Sequence, residues 1–320
     1  MGKDAYPLLS IITPTYNRAD DYLVETLESV LAQDYPNIEY IVLDDGSTDN
    51  TRSILQTYSD RIIWQSHPNM GVIRTVNKGF MLATGEFITV VNSDDPLLPN
   101  YATQAAQFMQ DHPHVLAAYP DWLKIDQNSN VIERVQTFEY DYLDMLGRYY
   151  CFPGPGTILR RRALKLEPEY DERYPHIFDY EYYLRLGLHG ALARIPETLA
   201  QYRDHTETIT SQGDTVLIKE RFTAMSNFFS RDDLPHEVRQ VKRRTFSNVN
   251  FVTGLQYLPE NRAKARIYFL KALFWYPFLT ARNGFEPRPA RKLMLTTILP
   301  DWVERILRGT KSLLNVRRSA

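Results

Sequence analysis

Phe87-Ile88-Thr89-Val90-Val91-Asn92-Ser93-Asp94-Asp95-Pro96 is the stretch of sequence that decides the fold. Its first half is an apolar, β-branched run, which is typical of a buried strand. Its second half gathers oxygen-bearing side chains, and Pro96 ends the strand. Ligands of open parallel α/β sheets bind beyond the carboxyl ends of strands, so Asp94 and Asp95 are placed where a divalent cation and a phosphate can meet. The same residue types are common in turns, so an ordinary turn is the structural alternative.

Strands and helices alternate along the chain before this stretch. Apolar runs predict buried strands at residues 8–13, 38–43 and 61–65, and amphipathic spacing predicts helices from residue 23 and over 72–83. This alternation is typical of an α/β fold with a parallel sheet and right-handed crossovers.

Polar residues follow three of these strands at the point where each ends. Pro14 is expected to end the first strand, just before Tyr16, while Asp45 follows the second strand and Asp94 and Asp95 follow the fourth. Because the carboxyl ends of parallel strands lie on one edge of a sheet, these side chains are expected to converge. This convergence favours a ligand site over a set of unrelated turns.

The pattern changes beyond the opening stretch. A hairpin is predicted around residues 128–130, and two short strands are predicted at 193–195 and 198–203. Helical patterns then dominate the remainder of the chain. We therefore predict two domains, an α/β domain at residues 1–213 and a mostly helical region at residues 214–320.

Charge is distributed unevenly between these two regions. The whole chain of 320 residues has a formal net charge of -2, which argues against a general nucleic-acid-binding protein. Residues 214–320 carry 20 Lys and Arg against 9 Asp and Glu, whereas residues 1–213 carry 17 against 30. The basic C-terminal region predicts peripheral contact with an anionic membrane. Helices docked on the first domain would explain the same pattern equally well.

The cysteine content and the lengths of the apolar runs indicate in which cellular compartment the protein is expected. Cys151 is the only cysteine, so no intramolecular disulfide can form, which fits a reducing compartment. The N-terminal residues lack the apolar region of a signal peptide, and no charge-free apolar run approaches the ~18 residues of a membrane span. We therefore expect a cytoplasmic protein that contacts the inner face of the plasma membrane at most peripherally.

Four motifs in this chain resemble those of the family 2 glycosyltransferases, which have a GT-A fold. The resemblance covers about residues 7–210, and its motifs are individually weak but specific in their order and spacing. The motifs are Thr13-Pro14-Thr15-Tyr16-Asn17, Asp44-Asp45-Gly46-Ser47-Thr48-Asp49, the segment from Asn69 to Glu86, and Asn92-Ser93-Asp94-Asp95. The resemblance implies an inverting enzyme that uses a nucleotide-diphospho-sugar, with UDP expected as the nucleotide.

By this resemblance, the first two motifs bind the donor nucleotide. Pro14 and Tyr16 would line the base pocket, and Asp45 would accept a hydrogen bond from the base. An aromatic face and a carboxylate suit a uracil ring with its N–H. Ser47 and Asn92 complete the nucleotide-binding set. The structural alternatives are a packing role for Tyr16 and a helix-capping role for Asp45, which Ser47 or Asp49 could also fill.

Asp94 is implied as the ligand of a divalent cation, Mn²⁺ or Mg²⁺, with Asp95 beside it. Such an ion neutralises the charge that builds on the diphosphate as the sugar–phosphate bond breaks. The family's motif usually begins with Asp, whereas this chain has Asn92. The missing charge should weaken cation binding, and Asn92 is expected to contact the ribose or a metal-bound water.

Two later segments concern the acceptor, and the first of them belongs to the resemblance. The stretch from Phe178 to Leu186 resembles the helix that carries the family's general base, and Asp179 aligns with that base. Glu181 is the second candidate, and helix capping is the structural alternative for Asp179. The family often has Glu where this chain has Phe178. The loop Pro153-Gly154-Pro155-Gly156 is expected to shape the acceptor cleft.

Tyr202-Arg203-Asp204-His205 resembles the closing segment of the family. Arg203 is expected to contact the diphosphate. His205 is a further candidate metal ligand, although a single histidine is more often structural.

The sequence thus predicts a GT-A fold, mainly parallel α/β, followed by a helical C-terminal region. The predicted reaction transfers a sugar to a hydroxyl of a glycan or glycolipid acceptor, in cell-surface polysaccharide synthesis. Two alternatives stay open. Asn92 and Phe178 would suit a catalytically inactive nucleotide-sugar-binding or scaffold protein. A sugar nucleotidyltransferase shares a related architecture, but its first strand is followed by a Gly-rich basic loop, and residues 14–18 contain no glycine.

Overall fold

The structure is a computed structural model that describes residues 6–19, 22–204 and 215–276, together with Met294, Thr297 and Ile298. The chain divides into two compact units. The first unit comprises residues 1–142 and 151–212, and the second comprises residues 143–150 and 213–320. Residues 143–150 therefore pack with the second unit, although they lie within the first of the two predicted domains.

The first unit contains the sheet and the helices that cover it. Its strands, in chain order, are β1 (Leu9–Thr15), β2 (Ile38–Asp44), β3 (Ile63–Ser66), β4 (Phe87–Val90), β5 (Ala117–Ile125), β6 (Val131–Val135), β7 (Ile158–Arg160) and β8 (Leu192–Arg203). Its helices are α1 (Leu23–Leu31), α2 (Thr51–Thr57), α3 (Val72–Leu82), α4 (Tyr101–Asp111), α6 (Arg161–Leu166) and α7 (Phe178–Gly187). The helix α5 (Tyr142–Arg148) begins at the last residue of the first segment.

The strands form one eight-stranded sheet in the order β3-β2-β1-β4-β7-β5-β6, and β8 pairs with β5. The strands β3, β2, β1 and β4 are mutually parallel, as are β5 and β8. The strand β7 runs antiparallel to both β4 and β5, and β5 and β6 form the predicted hairpin. The predicted α/β fold with a mainly parallel central sheet is therefore confirmed.

The central strand β1 is buried along its whole length, as expected for a parallel strand that is covered on both faces. The side chains of Ser10 and Thr13 have hydrogen-bond partners inside the protein, whereas the buried hydroxyl of Thr15 has none among the described residues. The hydroxyl of Ser10 donates to the Glu39 carboxylate and accepts the N–H of Gly85 at 2.8 Å. The hydroxyls of Thr13 and Tyr40 lie 3.1 Å apart. These bonds allow Ser10 and Thr13 to occupy the core with their hydroxyl groups paired.

The first strand continues through Pro14, although the sequence predicted that Pro14 would end it. Pro14 pairs in register with Leu43 of β2, whereas the pairing of β1 with β4 stops two residues earlier, at Ile12 and Val90. The missing N–H of Pro14 points toward the side where β4 has already ended, so the ladder loses no hydrogen bond.

The two short strands predicted at 193–195 and 198–203 are one strand, β8. Its register against β5 shifts near Pro120 and Asp121, where Ile195 and then Thr198 are the partners. The irregularity accommodates Pro196 and Glu197 without ending the strand. The result is a strand of 12 residues whose last residue is Arg203.

The second unit consists of helices in its described part. These are most of α5, then α8 (Thr215–Phe229), α9 (His236–Gln240), α10 (Lys242–Tyr257) and α11 (Arg262–Trp275). The helices α10 and α11 cross closely at Gly254, where a Cβ atom would lie 2.4 Å from the Phe269 ring. The side-chain amide of Asn248 donates to the Gly147 carbonyl at 2.8 Å, which ties α5 to α10. Across the described residues, no helix is both long and apolar enough to cross a membrane.

Candidate active site

A cleft of about 510 Å³ opens at the carboxyl ends of β1, β2 and β4. Most of the predicted site residues line it, namely Pro14, Tyr16, Asp45, Asn92, Asp94, Asp95, Asp179 and Arg203. Tyr16 is 46% exposed, so one aromatic face is available to a ligand. Ser47 and Glu181 do not line the cleft, and His205 lies outside the described residues.

The loops that follow β1 and β2 are joined by hydrogen bonds. The N–H of Asn17 donates to the Ser47 hydroxyl at 2.9 Å, and the Asn17 side chain accepts the N–H of Thr48 at 2.8 Å. The N–H of Ala19 donates to the Asp49 carboxylate at 3.0 Å. Ser47 is thus a link between the two loops, and its contact with the nucleotide stays a prediction. Its hydroxyl holds in place the loop that carries Tyr16.

Asp45 fixes a third loop at the wall of the cleft. Its two carboxylate oxygens accept the N–H groups of Met70 at 2.7 Å and Gly71 at 2.9 Å. The neighbouring Gly46 has a φ of +78°, and a Cβ there would lie 2.6 Å from the nitrogen of Asn69. Only glycine permits this approach. Hydrogen bonding to a nucleotide base by Asp45 stays a prediction, and its position is set by the loop that it binds.

Asp95 is buried, and both of its carboxylate oxygens have protein partners. One oxygen accepts the main-chain N–H of Arg203 at 2.8 Å, and the other accepts the side-chain amide of Asn92 at 2.9 Å. Burial, and then the adjacent Asp94 carboxylate, raise the pKa of Asp95 to about 7. Asp95 therefore stabilises the loop after β4 through these two hydrogen bonds.

The structure gives a reason for Asn92 at the position where the family motif usually has Asp. Its amide donates a hydrogen bond to buried Asp95, which an Asp side chain could not do when ionised. A carboxylate at this position would instead place a third negative charge beside Asp94 and Asp95. The predicted contact of Asn92 with ribose or metal-bound water stays a prediction, since Asn92 also lines the cleft.

Asp94 presents its side chain to the cleft. One carboxylate oxygen lies 3.8 Å from a terminal nitrogen of Arg18, and both side chains are less than one-fifth exposed. Among the described residues, no group of three His, Cys, Asp or Glu side chains could hold a metal ion alone. The Asp94 carboxylate at the cleft fits a hard cation that takes one carboxylate from the protein and its other ligands from phosphates and water.

Arg203 is buried, and its guanidinium is engaged within the first unit. It donates to the Asp94 carbonyl at 3.0 Å, to the Asp126 carbonyl at 3.0 Å and to the Glu25 carboxylate at 2.6 Å. It also lies 4.2 Å from the centre of the Tyr22 ring. The side chain has no exposed surface, so these contacts are those of a positioning residue. A direct contact of Arg203 with the diphosphate stays a prediction.

Asp179 lies in the first turn of α7 and faces the cleft. The residue that precedes the helix is Ile177, so Asp179 is not the N-cap residue. One carboxylate oxygen of Asp179 accepts the N–H of Tyr180 at 2.7 Å. Solvent reaches Asp179 through the cleft, but the protein walls displace much of the surrounding water, and this desolvation raises its pKa. A raised pKa suits a carboxylate that must accept a proton near neutral pH.

Glu181 is engaged elsewhere. Both of its carboxylate oxygens accept from Nε of Arg185, at 2.9 and 3.0 Å, and Arg185 also pairs with Glu167. Glu181 lines neither cleft, whereas Asp179 does. The geometry therefore favours Asp179 over Glu181 as the candidate base.

A second cleft of about 180 Å³ adjoins the first, and Asp179 lines both. Tyr170, Tyr183 and the loop Pro153-Gly154-Pro155 supply much of its wall. A Cβ on Gly154 would lie 3.2 Å from Nε1 of Trp122, so the loop packs closely on β5. Aromatic walls beside a carboxylate are suited to a sugar, which has apolar faces and polar edges.

Two cleft residues, Arg18 and His176, were not predicted from the sequence. Arg18 directly follows the first motif, and a cation at the carboxyl end of β1 was the available signal. His176 precedes α7 in a segment without regular periodicity. Its placement depends on how the chain reaches the helix, which no local pattern indicates.

Known proteins resemble this chain in sequence. The sequence model described as glycosyl transferase family 2 matches residues 10–191. TuaG of Bacillus subtilis (strain 168), a glycosyltransferase named for teichuronic acid biosynthesis, is 39% identical over 109 residues. That match covers 33% of this chain and 43% of TuaG.

Solved structures resemble the chain over a greater length. S. aureus TarS 1–349 in complex with UDP-GlcNAc superposes with a TM-score of 0.66 and 19% identity, over 95% of this chain and 92% of TarS 1–349. The mannosyltransferase PcManGT from Pyrobaculum calidifontis, in complex with GDP-Man and Mn²⁺, gives a TM-score of 0.58 and 16% identity. It covers 91% of this chain and 79% of PcManGT. At these identities the likeness concerns the fold.

Proposed function

Because the chain belongs to glycosyl transferase family 2 and has the GT-A fold, we propose that it transfers a sugar from a UDP-sugar to a hydroxyl of a glycan or glycolipid, with inversion. The observation that carries this proposal is that Asp94 and Asp179 line one cleft together with Tyr16 and Asp45. The cleft thus combines a face for a base, an anionic ligand for a cation and a separate proton acceptor.

The donor nucleotide is proposed to occupy the end of the cleft near β1 and β2. Tyr16 would stack on the base, and Pro14 would line its edge. Asp45 would accept the N–H of a uracil ring, in addition to its two main-chain bonds. Arg18 would approach the diphosphate, since it lines the cleft beside Asp94. TarS with UDP-GlcNAc and PcManGT with GDP-Man support a nucleotide-sugar donor, and the uracil assignment rests on Tyr16 and Asp45.

Asp94 is proposed to hold a divalent cation, Mn²⁺ or Mg²⁺. Asp95 would stabilise the loop that carries Asp94 through its hydrogen bonds to Asn92 and Arg203. When bound, such an ion supplies positive charge against the diphosphate of the leaving nucleotide. The Mn²⁺ in PcManGT supports this choice of metal. Arg203 keeps Asp94 in place through the Asp94 carbonyl and the Asp95 carboxylate.

Asp179 is proposed as the general base. The acceptor oxygen forms a bond to the anomeric carbon while the bond from that carbon to the diphosphate oxygen breaks. The proton of the acceptor hydroxyl passes to Asp179, and the electron pair of the broken bond leaves with the nucleoside diphosphate. Attack from the face opposite the leaving group inverts the anomeric configuration, so no covalent sugar–enzyme intermediate is needed.

The acceptor is proposed to bind in the second cleft. Asp179 lines both clefts, so an acceptor hydroxyl there would lie beside the base. The aromatic walls at Tyr170 and Tyr183 suit a sugar unit of a glycan or glycolipid. The name of TuaG supports a role in surface polysaccharide synthesis.

The test is a thermal-shift panel with UDP, GDP, dTDP and CMP, each with and without Mn²⁺ or Mg²⁺. A ligand at ~100 times its Kd should add about 2.7 kcal/mol to the free energy of unfolding. We expect a shift with UDP that requires metal and is lost in Asp94→Ala. A shift with another nucleotide would replace uracil by that nucleotide's base in the proposal. The absence of a shift with every nucleotide would exclude the proposed donor site.

One observation favours a second candidate, a nucleotide-sugar-binding protein without activity. Asn92 removes one of the acids that the family usually has at the metal motif. The hydrogen bond from Asn92 to Asp95 weakens this argument, since it gives Asn92 a structural use. Metal-dependent hydrolysis of a UDP-sugar, abolished in Asp94→Ala, would exclude the inactive candidate.

A further inference from the structure

The helix α11 of the second unit leaves an apolar stripe exposed. Ile267 and Leu270 are each 52% exposed, and Phe274 is 82% exposed. The opposite side of the helix buries Ala265 and Phe269 against α10 and its neighbours. The exposed residues have the spacing i, i+3 and i+7, so they lie on one face of the helix. We call Ile267, Leu270 and Phe274 the α11 stripe.

Lysines and tyrosines border the α11 stripe. Nζ of Lys264 lies 4.9 Å from the centre of the Tyr257 ring, and Nζ of Lys271 lies 5.0 Å from the centre of the Tyr268 ring. The two tyrosine rings stack on each other, with centres 5.6 Å apart. Both lysines are exposed. The stripe therefore has a row of aromatic rings and cations along one of its edges.

Charge in this region has a single sign. Residues 262–275 contain four Lys and Arg and no Asp or Glu, and residues 214–320 carry an excess of 11 positive charges. Two such faces would repel each other, which disfavours a second copy of this chain as the occupant. An anionic surface would complement them.

We propose that the α11 stripe docks on an anionic lipid surface. Apolar side chains on one helix face, bordered by lysines, are the features of a helix that lies in the plane of a membrane interface. Tyrosine is enriched at that depth, because its ring is apolar and its hydroxyl stays hydrated. Lys264 and Lys271 would contact the lipid phosphates while Ile267, Leu270 and Phe274 enter the acyl boundary. The proposal is independent of the proposed sugar transfer.

The test measures binding of the full-length protein to sedimented vesicles. One vesicle preparation contains phosphatidylcholine with phosphatidylglycerol as the anionic lipid, and the other contains phosphatidylcholine alone. We expect binding to the anionic vesicles, weaker binding to the neutral ones, and weakening by salt because exposed charges are screened.

Substitutions in the α11 stripe and at its bordering lysines test whether this surface binds the vesicles. Ile267→Ser/Leu270→Ser/Phe274→Ser should reduce the partition coefficient at least about tenfold, because three apolar contacts are lost. Lys264→Gln/Lys271→Gln should reduce it about fivefold for each lysine. All three side chains of the stripe are exposed, so the thermal unfolding temperature should not fall.

The matched control replaces three exposed apolar side chains of the first unit. Met81, Val131 and Ile132 are 82%, 58% and 55% exposed. Met81→Ser/Val131→Ser/Ile132→Ser should leave vesicle binding unchanged. Equal loss in this control and in the α11 variant would overturn the proposal, since binding would then depend on general surface hydrophobicity.

The same measurements distinguish an anionic lipid surface from other binding partners of the α11 stripe. Vesicle binding that survives in the α11 variant but is lost in full-length Arg305→Gln/Arg308→Gln/Lys311→Gln would overturn the proposal and assign the contact to the last residues of the chain. Concentration-dependent self-association in sedimentation velocity, abolished in the α11 variant and accompanied by no vesicle binding, would assign the stripe to a second copy.

Discussion

Arg203 and Asp95 are joined by a hydrogen bond of 2.8 Å between a main-chain N–H and a buried carboxylate oxygen. The guanidinium of the same arginine holds the carbonyl oxygen of Asp94 at 3.0 Å. The last residue of β8 therefore fixes the loop after β4, 108 residues earlier in the chain. These two bonds hold the main chain at Asp94 and the side chain of Asp95 in place.

Arg203→Met is expected to lower the free energy of unfolding by about 3 kcal/mol, because buried acceptors lose their donor. It should also weaken metal-dependent nucleotide binding, because the Asp94 loop loses its support. Chemical denaturation and calorimetric titration with UDP and Mn²⁺ measure the two effects. Arg194→Met is the control, since Arg194 is similarly buried against Asp121 but lines neither cleft. If both variants bind the nucleotide equally well, Arg203 has no positioning role.

Asp94→Asn is expected to abolish metal-dependent nucleotide binding without lowering stability. The pKa of Asp95 is raised above its unfolded value, so ionised Asp95 reduces the stability of the folded state at neutral pH. Part of that increase comes from Asp94, so the Asn variant should unfold at the same or a higher temperature at pH 8. Asp95→Asn is the contrasting variant and should be less stable, because Asp95 accepts two buried hydrogen bonds. A large loss of stability in Asp94→Asn would contradict this division of roles.

Asn92→Asp restores the family's usual acid, and it should nevertheless destabilise the protein. The change removes a donor to Asp95 and adds a third carboxylate beside it. The loss should be larger at pH 8 than at pH 6, because the acids are more fully ionised at the higher pH. Thermal unfolding at the two pH values checks this expectation. An equal loss relative to the unmodified protein at both pH values would mean that the charge at this position has no effect.

Asp179→Asn is expected to reduce kcat at least about 100-fold, the lower range for loss of a general base. In the unmodified enzyme, kcat/KM should rise with pH and level off above the raised pKa of Asp179, because only the ionised form accepts a proton. This acid limb should lie above the value of about 3.9 for an ordinary Asp. Glu181→Gln should keep the same limb, although it breaks the pair with Arg185. If the acid side of the kcat/KM profile shifts in Glu181→Gln instead, Glu181 and not Asp179 is the general base.

The same raised pKa has a consequence for stability. Because the pKa of Asp179 is higher in the folded than in the unfolded state, ionised Asp179 reduces stability at pH values above the unfolded pKa. The reduction disappears as the pH falls below that value. Asp179→Asn should therefore unfold at the same or a higher temperature at pH 8. An inactive variant that is also less stable would indicate a structural role.

Tyr16→Ala is expected to weaken UDP binding by about 1–3 kcal/mol, the range for loss of a base stacked on an aromatic ring. Tyr16→Phe should retain most of the affinity, because the ring face is kept. Tyr6→Ala is the control, since Tyr6 is 41% exposed and lies outside the cleft. Calorimetric titration of the three variants decides whether Tyr16 meets the base.

Short-range patterns predicted much of this protein correctly. Apolar runs and amphipathic spacing predicted the first four strands, because buried parallel strands and covering helices require those patterns wherever they occur. The convergence of Tyr16, Asp45 and Asp94 followed from the same pattern, since parallel strands present their carboxyl ends on one edge. The placement of Asp179 at a helix that faces the cleft rested on the family resemblance.

The tertiary structure decided what each site residue contacts. The sequence grouped Asp94 with Asp95, Asp179 with Glu181, and Arg203 with the diphosphate. The fold turns Asp94 and Asp179 toward the cleft, whereas Asp95 and Glu181 are engaged by Arg203 and Arg185. These roles depend on hydrogen bonds between residues far apart in the chain, and no local pattern records such bonds. The sequence by itself determined the edge of the sheet at which chemistry is possible, and long-range packing determined which protein groups each carboxylate contacts there.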